Sequence, residues 1–158
     1  MDQVPYSPPH IQLPNAPVLI ADHRGATMLT TDGELVTLDK DQAILKIKAS
    51  PPILCHAKAT ARYLKTHDFP AFDLLELFAF VHPARFVLPT PRGIAESFGQ
   101  VLPTTIEQEA NSLPMSARTL LADLAHLATN DPERACGAAG QAHTMALAGW
   151  PWGPSVLT

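Results

Sequence analysis

Short apolar runs dominate the first part of the chain, and apolar residues at helical spacing dominate the last. Val18 to Ala21 predicts a short buried strand, and Thr27 to Thr30 is β-rich enough to predict a second. Between that run and Leu35 to Leu38 stand Thr31, Asp32, Gly33 and Glu34, and Asp-Gly readily takes the positive φ angles of a tight hairpin turn. Asp39 is then placed to cap a helix in which Ala43, Ile44 and Ile47 recur on one face, and that helix must end before Pro51. Ile53 to Cys55 predicts one more buried strand. Lys58 to Lys65 predicts a helix with Ala61 and Leu64 turned to the sheet, and Asp73 caps Leu74 to Val81, which is apolar nearly all round. Thr90 as N-cap, Pro91 at the first helical position and Gly99 just past the end mark the next helix. From Thr104 onward no β-rich run appears, and helices are expected near Thr105 to Asn111, Ser116 to Ala128 and Pro132 to Leu147, the middle one striped by Leu120, Leu121, Leu124 and Leu127.

Three antiparallel strands, a helix and a strand able to pair in parallel form the opening of a ribonuclease-H-like α/β fold, here followed by a helical C-terminal part. The expected organisation is a Pro-rich lead-in over 1–17, one domain over 18–149 and a closing Gly-Trp-Pro-Trp element over 150–158. At 158 residues the chain has the size of one ordinary domain. Apolar residues at 46% against charged residues at 16% argue for a folded body and against disorder, and the low charge hints at a partner surface. The net charge of −4 gives no footprint for tight, sequence-independent nucleic-acid binding, although Lys46, Lys48, Lys58, Arg62 and Lys65 form a local basic group. Two distant cysteines, Cys55 and Cys136, fit a reduced, cytoplasmic setting. The N-terminus lacks the cationic start and apolar core of a signal peptide, and no window approaches ~18 uninterrupted apolar residues, so no membrane association is expected.

The stretch from Cys55 to Gly99 carries the most specific pattern. It resembles the middle of a proofreading-type 3′–5′ exonuclease domain, in which a strand ending in HNAxFD leads to a helix, then a DTLELA segment, then a helix read as LxxLAxxxG. His56 matches the histidine of the first of these, while the position of its metal-binding aspartate falls on Ala61. Asp73 and Leu75 to Leu77 fit the DTLELA segment, and Gly93, Ile94, Ala95 and Gly99 fit the last helix. The family's DxE motif on the first strand survives only as Asp22, with Arg24 where the glutamate belongs. A cation at a ligand position repels the metal, and a nuclease with two ions about 4 Å apart needs several carboxylates to hold them. For the late HxxxxD or YxxxD motif the nearest arithmetic match is His126 with Asp131, but family spacing places that helix nearer Ser116 to Asp123. No metal ligand set is therefore expected, and Asp22, Arg24, His56 and Ala61 are read as vestigial positions.

Other chemistries leave no signature. There is no GxxxxGK[ST], GxSxG or HExxH. Cys55 and His56 are strand neighbours whose side chains point to opposite faces, and His67, Asp68 and His82 fit no ligand spacing. Phe69, Phe72, Phe78, Phe80 and Phe86 read as core. The Gly-Trp-Pro-Trp-Gly-Pro close holds both tryptophans, which are costly to leave in water, and it is expected to dock on the chain's own helices, on a following domain or on stacked bases. Candidate nucleic-acid contacts are Lys58, Arg62, Lys65, Trp150 and Trp152.

As a whole the chain resembles the N-terminal region of alphaproteobacterial ATP-dependent DNA helicases of the DinG type, through FPAFDLLELFAFVHPARFVLPTPRGIAESFG and the later GWPW. The resemblance implies a helicase motor C-terminal to this segment, and the chain ends at Thr158 without it, so a fragment of a longer protein is expected. It further implies Mg and ATP as cofactors of that motor with none in this segment, DNA as a partner through the parent helicase, and a part in DNA repair. Three functions follow as expectations: a catalytically inactive exonuclease-like accessory domain that positions nucleic acid or a partner for the motor, a residual metal-dependent 3′–5′ exonuclease using Asp22 with His126 or Asp131, or a structural or protein-interaction module.

Overall fold

A computed structural model describes residues 10–158. Residues 1–9 of the Pro-rich lead-in lie outside the described residues. Strand β1 (Val18–Ala21) pairs antiparallel with β2 (Ala26–Leu29), which pairs antiparallel with β3 (Leu35–Leu38). Gly25 lies in the β1–β2 turn with its backbone against the Leu38 carbonyl, where any Cβ would collide. Asp39 caps α1 (Lys40–Ala49) in a reciprocal capping box with Gln42. The chain then crosses over into β4 (Ile53–Leu54), parallel to β1. Helix α2 (Ala57–Leu64) leads to a second parallel strand, β5 (Phe72–Asp73), giving one five-stranded mixed sheet in the order β3-β2-β1-β4-β5.

The sheet separates two apolar clusters because its side chains alternate between faces. Leu19, Met28 and Leu38 meet Ala43 and Ile47 of α1 and Leu64 of α2 on one side. On the other, Val18 and Ile53 join a larger cluster built on α3 (Leu74–Val81), α4 (Pro91–Ser97) and α5 (Ile106–Asn130). Ile11, Leu13 and Ala16 of the lead-in pack against this larger cluster. Helix α6 (Pro132–Leu147) lies along α5, and a short turn, α7 (Gly153–Val156), closes the chain.

Two elements depart from the sequence expectation, and Phe86, expected in the core, is 85% exposed. The helices expected over Thr105 to Asn111 and Ser116 to Ala128 form the single helix α5, which runs through Pro114. Proline removes the hydrogen bond its N–H would give the Ala110 carbonyl, but Ala110, Leu113 and Ala117 around it are fully buried, and their packing offsets that loss. Strand β5 is only two residues long, too short to show periodicity in the sequence, and it exists because its backbone extends the parallel ladder from β4.

Candidate functional site

The carboxyl ends of β1, β4 and β5 lie on one side of the sheet, because these three strands run parallel. This is where the sequence places Asp22, His56 and Asp73. Asp22 directly follows β1, and its Oδ1 accepts hydrogen bonds from the backbone N–H of Arg24 at 2.7 Å and of Gly25 at 3.2 Å. One oxygen of the carboxylate is thus occupied in shaping the turn into β2. Arg24 is exposed, and Ala61 is buried on α2.

His126 is exposed on α5, and Asp131 ends α5 and caps α6, its Oδ1 accepting the Arg134 N–H at 3.1 Å. Among the described residues no three His, Cys, Asp or Glu side chains gather closely enough to hold a metal ion. An arginine, an alanine and a turn-bound aspartate do not fit a divalent pair. His82 is engaged elsewhere, with Nε2 2.8 Å from Oδ2 of Asp123, a hydrogen bond that ties the end of α3 to α5. His67 and Asp68 are exposed in the loop before β5.

Asp73 is the organising residue of this end of the sheet. It is buried, its Oδ1 accepts the N–H groups of Leu75 at 2.9 Å and Glu76 at 3.2 Å, and its Oδ2 accepts the N–H of Ala57 at 2.8 Å. One carboxylate thereby caps α3 and binds the start of α2, where two helix N-termini favour its negative charge. His56, at the N-cap of α2, places Nδ1 3.9 Å from Asp73 Oδ2, and among the described residues that buried nitrogen has no hydrogen-bond partner. Cys55 beside it is buried too. Burial pushes its thiol up to about 12, with the nearby charges of Asp73 and Glu109 adding to the effect.

Both tryptophans close over this hub. Trp152 is fully buried, donates from Nε1 to the Asp73 carbonyl at 2.9 Å, and meets Phe72 edge to face with ring centroids 5.1 Å apart. Trp150, also buried, donates from Nε1 to Oε2 of Glu76 at 3.2 Å and packs on Phe80 at 5.1 Å. Gly153 lets the hook sit flat on α6, since a Cβ there would strike the Ala146 side chain. The indoles thus pack against the chain's own rings, Trp152 edge to face and Trp150 tilted. Lys58, Arg62 and Lys65, by contrast, are exposed; Lys58 and Arg62 lie one turn apart on α2, and Lys65 follows as its C-cap with φ 55°.

Where the hook meets α3, a groove of about 680 Å³ opens, lined among others by Phe69, Phe80, Trp150, Asp73 and Glu76. The carboxyl of Glu76 is pushed above its ordinary value, first by burial and then by the charge of Asp73, against the opposing pull of Trp150, His56 and Lys58. The sequence pattern covered Glu76 only as part of the DTLELA-like run and gave it no role. Its position three residues after the capping Asp73 is a capping-box signal, but the side chain turns to Trp150 instead, a contact spanning 74 residues that no local pattern announces.

No helix among the described residues is long and apolar enough to cross a membrane. No family model, curated protein or solved structure matches the chain.

Proposed function

We propose that this chain is a catalytically inactive, exonuclease-like accessory domain of ribonuclease-H-like fold, belonging to an ATP-dependent DNA helicase whose motor uses Mg and ATP. The observation that carries the reading is the state of the nuclease positions: Asp22 is bound into a turn, Arg24 brings positive charge, and Ala61 supplies no oxygen. The sheet order, with three antiparallel strands continued by two parallel ones, supports the fold assignment. The role left to such a domain is to position DNA or a partner protein for the motor in the cytoplasm during repair. DNA would lie along the exposed Lys58, Arg62 and Lys65, since phosphate contacts need accessible cations and not buried rings.

The test uses an end-labelled single-stranded oligonucleotide with Mg²⁺ or Mn²⁺. No degradation is expected from the chain, and Asp22→Ala should leave that unchanged. Metal-dependent digestion that disappears in Asp22→Ala would overturn the reading and restore the residual exonuclease. Binding of the same oligonucleotide should weaken steeply with salt, and replacing Lys58, Arg62 and Lys65 by Glu should lower the slope by about one for each phosphate no longer neutralised. Salt-independent binding, or none, would leave the protein-interaction module in its place.

A further inference from the structure

The groove between the hook and α3 combines features that a self-contained surface has no need of. Its walls are aromatic, with Phe69, Phe80 and Trp150, and its polar lining is anionic, with Asp73 and Glu76. Asp73 spends both oxygens on backbone N–H groups. Glu76 spends one oxygen on Trp150, and among the described residues its other oxygen has no hydrogen-bond partner. Neither carboxylate forms an ion pair with a Lys or Arg among the described residues; the nearest basic side chain in contact is the His56 imidazole, 3.9 Å from Asp73. Negative charge beside aromatic faces is therefore left without a hydrogen-bonded cation, since Lys58 acts on the exposed Glu76 only through space.

We propose that this groove docks an arginine side chain presented by an extended segment of a partner protein. A guanidinium fits on three grounds. It donates several N–H bonds in a plane to a carboxylate, it stacks on aromatic rings, and it is desolvated more cheaply than an ammonium. Nucleic acid is disfavoured at this position because phosphates would face two carboxylates. An arriving cation would also relieve the electrostatic penalty that now raises the Glu76 carboxyl. The proposal narrows the partner left open above to one chemistry. It rests on that reading only for its biological setting, since the groove's chemistry stands whether or not the chain descends from a nuclease.

The experiment follows the two indole N–H resonances of the ¹⁵N-labelled chain while adding acetylated, amidated Gly-Gly-Arg-Gly-Gly, with Lys and Glu versions of the same peptide. The Arg peptide should shift the Trp150 resonance saturably and leave Trp152, which lies in the core, nearly still. The Lys peptide should bind more weakly, and the Glu peptide should not bind. Glu76→Gln keeps an acceptor for Trp150 but removes the charge, and it should weaken Arg-peptide binding about tenfold. Phe80→Leu thins the aromatic wall and should weaken it about threefold, which decides the matter should the first variant fold poorly. An unmoved Trp150, equal shifts from the Glu peptide, or undiminished binding in the two variants would overturn the proposal. A stronger shift from single-stranded DNA would do so as well. The nuclease assay above is read independently, so a failure here and a failure of the accessory-domain reading are told apart.

Discussion

Trp152→Ala should be among the most damaging single substitutions in this chain. The indole is 0% exposed, meets Phe72 with ring centroids 5.1 Å apart, and gives its N–H to the Asp73 carbonyl. Truncating a buried Trp to Ala typically costs about 3–5 kcal/mol through reduced burial and the cavity left behind. Within that, the aromatic pair contributes about 0.5–1.5 kcal/mol beyond area, and an orphaned buried carbonyl costs about 1–3 kcal/mol. Trp152→Phe should separate these contributions, retaining a ring while removing the donor, and should fall about midway between wild type and Ala. Domains are stable by roughly 5–15 kcal/mol, so the Ala variant should be marginal. For a chain of this size Tm falls by about 2–4 °C per kcal/mol, giving a drop of roughly 6–20 °C. Urea unfolding followed by far-UV circular dichroism, with a thermal scan on the same samples, measures both quantities. A Trp152→Ala protein within about 1 kcal/mol of wild type would mean that the hook does not hold the domain together, and the docked geometry would have to be abandoned.

Two further outcomes are expected. Asp73→Ala strips three backbone N–H groups of their acceptor and should cost about 2–4 kcal/mol in urea unfolding, with Asn recovering part of it; a neutral effect would show that α2 and α3 do not depend on this carboxylate. Iodoacetamide at pH 8 should modify only the exposed Cys136 in the native chain, because Cys55 is buried and its thiol is pushed up to about 12. Intact mass should show one adduct natively and two in denaturant, and rapid double labelling without denaturant would contradict the packing of β4.

The strands and caps were legible because they depend on near neighbours. Asp39, Asp73 and Thr90 each cap the helix their sequence position predicts, and Gly33 turns the β2–β3 hairpin with φ 88°. What could not be seen locally was decided by distant partners. Helix α5 passes through Pro114 because the sheet and α3 pack against it and its residues before and after the proline are buried, and β5 is a strand only because β4 is beside it. The sequence left the destination of the tryptophans open among three surfaces. For Trp152 it is fixed by a backbone carbonyl, a group every residue carries and no composition reveals.

The hook also constrains the order of assembly. Trp152 finds its acceptor at Asp73, 79 residues earlier, and Trp150 finds Glu76 across 74. Closing so long a loop costs entropy that only the completed contact recovers. During synthesis, strands β1 to β5 leave the ribosome well before either indole does, so the nascent sheet waits with its β5 border uncovered. That border is a template for mispairing until the tail arrives, and premature termination before residue 150 should yield aggregates and not a smaller working domain.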